Sequence, residues 1–336
     1  MSEAQTSLPH WIAVQRDTLL RQRGHAWLLN GPSGLGQYSL ALELARAWLC
    51  ERPTEQGACN QCGSCHAIGV RTHADLAVLM PETLMIELGW PLPQKAQEDI
   101  DDKKRKSSKE IRVDAMRDAV EFTQRTSAQG RGKVVLVYPA ERMNAVTANT
   151  LLKSLEEPPG DIKFVLASEG AQSLLSTVRS RCMAHAMVWP KPQESLQWLT
   201  GQGVPALDAA ILLRASGDRP QDVLSWLQQG HTAPQWRDLP KAMQRGDLKL
   251  LANWSPPQLL EGLQKLCHDV LAHKVGATPR FFDAAQLPSM TSPLRVLSQW
   301  AVSLASASRT AEHPFNPGLM HEALVSEAKM ALNSRE

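Results

Sequence analysis

At 336 residues the chain is long enough for two or three domains, and 43% hydrophobic with 21% charged residues is the balance of an ordinary globular protein. A formal net charge of +2 excludes a strong overall pull toward nucleic acid or membrane, so any such binding must be local. With no apolar signal segment and no run of about 18 apolar residues the expected location is the cytoplasm, and six cysteines in this length do not make a disulfide scaffold.

The first predicted elements in the chain carry its most informative motif. Ala26-Trp-Leu-Leu-Asn30 reads as a buried strand, and 37–50 reads as a helix. Between them stands Gly31-Pro-Ser-Gly-Leu-Gly-Gln-Tyr38, the glycine frame of a phosphate-binding loop. A working loop reads G-x-x-x-x-G-K-[ST]: backbone N–H groups cradle phosphates, the lysine reaches the β/γ-phosphates and the hydroxyl ligates Mg²⁺. Here Gly31 and Gly36 keep the frame, but Gln37 replaces the lysine and Tyr38 the small hydroxyl. The shape of a nucleotide loop is kept without its means of hydrolysis. Taken alone, the loop also reads as an ordinary strand-to-helix turn.

Cys50, Cys59, Cys62 and Cys65 follow in the spacing C-x8-C-x2-C-x2-C. The two x2 spacings let neighbouring thiolates converge on one ion, with Cys50 approaching from the end of its helix. Four soft ligands with no open position suit structural Zn²⁺. The turn-rich stretch between them has little core of its own, so the metal would fold it, with roughly 10–16 kcal/mol of apparent binding energy in small zinc modules. An iron–sulfur cluster and unliganded thiols are the alternatives. Cys182 and Cys267 read as isolated small core residues.

An insertion follows at 83–111. It carries Glu98-Asp-Ile-Asp-Asp102 directly before Lys103-Lys-Arg-Lys106, and opposite charge blocks with few apolar residues predict a solvated, mobile loop. Helical spacing resumes over 111–120. Lys133-Val-Val-Leu-Val137 then reads as a central parallel strand, apolar along its length. In a P-loop ATPase such a strand ends in an acidic pair, an Asp for Mg²⁺ and a Glu for the attacking water. This one ends in Tyr138-Pro139, with Glu141 displaced along the loop. The only two tyrosines of the chain, Tyr38 and Tyr138, thus stand one at each defective metal position. Two defects in register argue for a disarmed nucleotide site rather than a chance turn.

The stretch 144–159 predicts a short helix, capped by Thr147, with Leu151, Leu152 and Leu155 inward and Pro158-Pro159 stopping it. A further buried strand over 163–168, a short helix and Ser180-Arg-Cys182 follow. Asn149-x-Leu-Leu-Lys-x-Leu-Glu-Glu-Pro-Pro159, Ser180-Arg-Cys182 and the four-cysteine module after a P-loop helix together resemble the bacterial clamp-loader branch of the AAA+ proteins, attached to DNA polymerase III. The resemblance is dense over about 8–190 and general beyond. Its motor subunits, gamma and tau, share the cysteine spacing and the Leu-Glu-Glu-Pro-Pro stretch but keep both ATP motifs. The broken motifs here therefore imply a non-hydrolysing subunit.

By this resemblance Arg181 is the arginine that reaches into a neighbour's ATP site, and Cys50, Cys59, Cys62 and Cys65 are the zinc ligands. The family's second sensing arginine, on the lid, has no convincing match: near Ser216-Gly-Asp-Arg-Pro220 the position holds proline. The implied fold is α/β, a doubly wound parallel sheet of AAA+ type over 1–186 that includes the zinc module (50–65) and the charged insertion (83–111). A helical lid over 187–240 and an all-α collar over 245–336 follow. Helices are predicted at 206–215, 221–228, 256–273 and 293–308, with Leu259, Leu260, Leu263, Leu266, Val270 and Leu271 forming one apolar face. The implied partners are gamma/tau and delta subunits, with the beta sliding clamp and primer-template DNA met through the complex. Two rival readings are a divergent AAA+ ATPase and a zinc-dependent DNA-binding module. The first requires turnover by the isolated chain, and the second tight binding with a steep salt slope.

Overall fold

The computed structural model describes residues 8–251, 253–288, 291–310 and 316–334. The chain divides into two compact units, Met1–Trp189 and Pro190–Glu336. In the first unit α1 (His10–Leu20) leads into β1 (Ala26–Asn30) and α2 (Gln37–Leu49), then α3 (Gly63–Gly69) and β2 (Leu76–Leu79). The insertion holds α4 (Glu82–Glu87) and α5 (Gln94–Asp101) before α6 (Val113–Gln124) and β3 (Lys133–Val137). The unit closes with α7 (Ala145–Glu156), β4 (Ile162–Ser168), α8 (Ser176–Arg179) and β5 (Met183–Ala186).

Strand order is β2-β3-β4-β1-β5, and every neighbouring pair is parallel. A parallel sheet is covered on both faces, which is why β1 runs apolar from Ala26 to Leu29 and β3 from Val134 to Val137 rather than alternating. Val135, Val137, Phe164 and Leu166 point into one layer with Met116, Leu151 and Leu155. Val134 points the other way, toward Ala45, Leu49 and Ile68. On that second face Trp27 of β1 stacks on Trp48 of α2, with centroids 4.8 Å apart. The chain reversals after β1 and β3 sit at the carboxyl ends of their strands, where open α/β sheets bind ligands.

Two sequence expectations change here. The N-cap of α7 is Asn144, whose side chain accepts from Thr147 N, and Thr147 instead donates its hydroxyl to Ile111 O. The insertion is solvent-exposed over most of 91–110, as its composition predicts, but it is not a loop: it holds α4 and α5 and is tied to the domain. Glu82 is buried and accepts two guanidinium bonds from Arg105 (2.6 and 2.8 Å) and one from Ser108 N (2.8 Å). One buried carboxylate so ties the basic block back onto the start of the insertion.

The second unit is helical: α9 (Pro192–Gly201), α10 (Ala206–Ser216), α11 (Pro220–Gln228), α12 (Ala233–Arg245), α13 (Pro256–Lys274), α14 (Leu294–Ser308) and α15 (Pro317–Asn333). Leu199, Leu212, Leu213 and Val223 make a small core among α9–α11. A larger one gathers on α13, where Leu259, Leu260, Leu263, Leu266 and Val270 are buried and Leu271 is partly so. Gly262 interrupts that apolar face for a steric reason: a Cβ there would lie 2.9 Å from the Trp254 ring.

Candidate functional site

The loop between β1 and α2 has the backbone of a phosphate cradle. Gly36 caps α2 at φ +97°, a conformation reserved for glycine. A Cβ on Gly31 would meet Met187 Cβ at 2.8 Å, so the chain leaving β5 crosses hard against the loop. Gln37, the first residue of α2, is 2% exposed. Its Nε2 donates to Gly31 O and Pro32 O, both at 2.7 Å. The side chain standing where a lysine would reach for phosphate is thus uncharged and turned onto the loop's own carbonyls. Trp11 Nε1 donates to Leu35 O (3.2 Å), fastening the loop to α1 as well.

Tyr38 and Tyr138 stack on each other with centroids 5.4 Å apart. Tyr38 Oη accepts from Trp90 Nε1 (2.7 Å), and Tyr138 Oη donates to Glu169 Oε1 (2.7 Å). The structure therefore brings the two expected defects into one contact: two phenol rings lie where a small hydroxyl and an acidic residue would share a metal. Pro139 follows Tyr138 through a cis peptide bond. Glu141, the acidic residue displaced along the loop, accepts from Glu169 N (3.0 and 3.3 Å) and so braces the end of β4.

The four cysteines converge. Their sulfur atoms all lie within 4.8 Å of one another, with Cys50–Cys62 at 3.8 Å and Cys50–Cys65 at 3.7 Å. A tetrahedral Zn²⁺ with Zn–S of about 2.3 Å has edges of about 3.8 Å, so these separations suit that ion. Burial would raise the Cys62 thiol, but the Cys65 and Glu51 N–H groups and the neighbouring thiols outweigh it and bring Cys62 down to about 6. Burial and the Cys62 thiol push Cys65 up to about 12. Four thiols this close cannot all ionise without a cation among them, and a divalent ion reverses that balance. The donor set fits structural zinc, which Cys50, Cys59, Cys62 and Cys65 would hold with all four tetrahedral positions filled.

Arg181 follows α8. Its Nε donates to Glu156 Oε1 (2.7 Å), its Nη2 contacts the same oxygen, and its Nη1 donates to Thr177 O (2.8 Å). The side chains of this pair remain 30% and 48% exposed. Cys182 packs against the sheet core and Cys267 is buried; burial pushes each thiol up to about 12, so neither is a nucleophile. Pro220 opens α11 in its first turn.

Sequence reasoning missed four residues that shape the site: Trp90, Met187, Glu169 and, as partner of Arg181, Glu156. Trp90 lay in the insertion read as solvated, and a lone tryptophan in a charged segment was the available signal. Contacts of the other three join positions more than 20 residues apart, which no local pattern encodes.

A family model described as DNA polymerase III, delta subunit, matches residues 12–188. The DNA polymerase III subunit delta' of Pseudomonas aeruginosa is 40% identical over 201 residues, 59% of this chain and 54% of that protein. The delta' subunit of Yersinia pestis is 31% identical over 281 residues, 79% of this chain and 75% of its own length. The tau subunit of Escherichia coli is 31% identical over 159 residues, 47% of this chain and 21% of tau. The chain spans about half the length of the first curated relatives it matches. A gamma subunit-related protein of Thermotoga maritima aligns over 96% of this chain and 100% of that structure, with TM-score 0.50 and 17% identity, a likeness of fold.

Proposed function

As the chain belongs to the DNA polymerase III delta-prime family, a clamp-loader subunit type of the AAA+ fold, we propose that it is a non-hydrolysing member of the loader, holding the assembly together and completing a neighbour's ATP site. The observation that carries this is the self-occupied loop: Gln37 is bonded to Gly31 and Pro32, and Tyr38 is stacked on Tyr138. With neither a lysine for the phosphates nor an acid for Mg²⁺, this site lacks the groups that phosphoryl transfer requires.

What the chain gives its neighbour is Arg181. A guanidinium supplied in trans offsets charge developing on the γ-phosphate, an effect worth roughly 10³–10⁵ in rate for arginine fingers of GTPases. The half-exposed pair with Glu156 supports this role, because a partly solvated ion pair contributes only about 0–1 kcal/mol and yields readily to a more highly charged anion. The gamma/tau and delta subunits are the proposed direct partners. The beta sliding clamp and primer-template DNA are reached through the complex, in the cytoplasm. Residues 187–240 serve as the lid and 245–336 as the collar through which the ring is held. The zinc module, bound through its four cysteines, is structural.

The test is ATP turnover by the reconstituted cognate loader, stimulated by clamp and primed DNA, with this chain intact or carrying Arg181→Ala. We expect a loss of at least about tenfold with co-elution of all subunits unchanged, and no turnover by this chain alone. Unchanged turnover would remove the arginine-finger role. Measurable turnover by the isolated chain would make it a divergent ATPase.

A further inference from the structure

The outer edge of the sheet carries a groove unrelated to the nucleotide loop. Among the described residues β2 pairs only with β3. Asp75 O accepts from Val134 N and Leu79 O from Tyr138 N, so residues 75, 77 and 79 face β3. The alternate residues then face outward. Leu76 N bonds back to His73 O, while Val78 N–H, Val78 C=O and Leu76 C=O have no hydrogen-bond partner among the described residues. This edge is the floor of a 680 Å³ cavity. One wall is α6, presenting the small side chains Ala115 and Ala119 and the ring of Phe122. The other is the proline-flanked stretch Pro91-Leu-Pro93 with Ala96 of α5.

An open strand edge bearing one free donor and two free acceptors, inside a trough walled by small apolar side chains, matches an extended backbone more closely than a rounded ligand. The rim adds a charge pattern. Arg105 is already paired with Glu82 and Asp114 with Arg117. On the α6 segment Arg112, whose charge also acts on Glu82, and Asp118 have no ion pair among the described residues, and neither has Lys95 on the opposite wall. Six helical positions separate Arg112 and Asp118 by about 9 Å along the axis, close to the roughly 6.8 Å between side chains two apart on one face of a strand, with long side chains spanning the difference. We propose that the β2 edge is a strand-addition site for an extended peptide segment of a partner protein. That segment alternates apolar residues with an acidic residue facing Arg112 and a basic one, two positions away, facing Asp118. The insertion supplies one wall, so it builds the groove as well as lengthening the chain.

The experiment is residue-resolved hydrogen exchange on the full chain, with a blocked heptapeptide of four valines alternating with threonine, glutamate and lysine in that order. At saturating peptide the Val78 amide should exchange about tenfold more slowly, and the effect should vanish with a peptide N-methylated at its alternate residues. Ala115→Arg, which fills the trough from a partly exposed position, should abolish protection while the thermal midpoint stays unchanged. Asp118→Lys should weaken the peptide and restore binding to a twin carrying glutamate in place of lysine. Three results would overturn the proposal: no protection of Val78, equal protection by the N-methylated peptide, or protection that grows with protein concentration alone, which would make a second copy the occupant.

Discussion

Single residues decide what this nucleotide loop can do. Gln37, one atom shorter than a lysine and uncharged, uses its amide hydrogens on the loop's own carbonyls. Each such bond contributes about 1 kcal/mol net, so Gln37→Ala should lower stability by about 1–2 kcal/mol, read as a shifted denaturant midpoint with unchanged slope. Restoring the motif as Gln37→Lys with Tyr38→Thr should still give no ATP turnover, because Tyr138 and Pro139 leave the metal without its acid. At Arg181 the same logic runs in reverse. Glu156→Gln should leave stability within about 1 kcal/mol, since the pair is half solvated.

At the scale of elements, two short modules are ordered by polar chemistry rather than by core. The four-cysteine module should hold one zinc per chain by elemental analysis. Cys59→Ser or chelation should speed hydrogen exchange over 50–65 while the sheet amides stay protected, since β1 and β3 have their own core. The insertion depends on Glu82. Burial alone would raise its carboxyl, but the Arg105 guanidinium and Ser108 N–H overcome that and hold it below its ordinary 4.5. A depressed carboxyl stabilises fully above the unfolded value and loses that contribution as pH falls through the folded one. Proteolysis with an acid-active protease should therefore open 95–109 only below about pH 4.5, and Glu82→Gln should open it at neutral pH.

At the scale of the whole molecule, each unit is held by its own buried clusters, sheet and helices in the first and helices in the second. In the second unit Leu263 is fully buried on α13, and Leu263→Ala should cost about 2–5 kcal/mol. The strands at Ala26–Asn30 and Lys133–Val137 and the apolar face of α13 were legible in the sequence because burial on two faces, or on one stripe, leaves an apolar signature at fixed period. The cysteine module was legible from its spacing. The solvation of the insertion was legible in its composition, but its helices and its tie to Glu82 were not, because the Arg105–Glu82 contact joins positions 23 apart.

By itself the sequence determined the glycine frame with its two defects, the four convergent thiols and the position of Arg181, since each depends on residue type at short spacing. Tertiary structure alone decided that the two tyrosines 100 positions apart stack on one another, that Arg181 rests on Glu156, and that the β2 edge lies open between α6 and the insertion. These are contacts between segments distant in the chain, set by strand order and helix packing, and no local period records them.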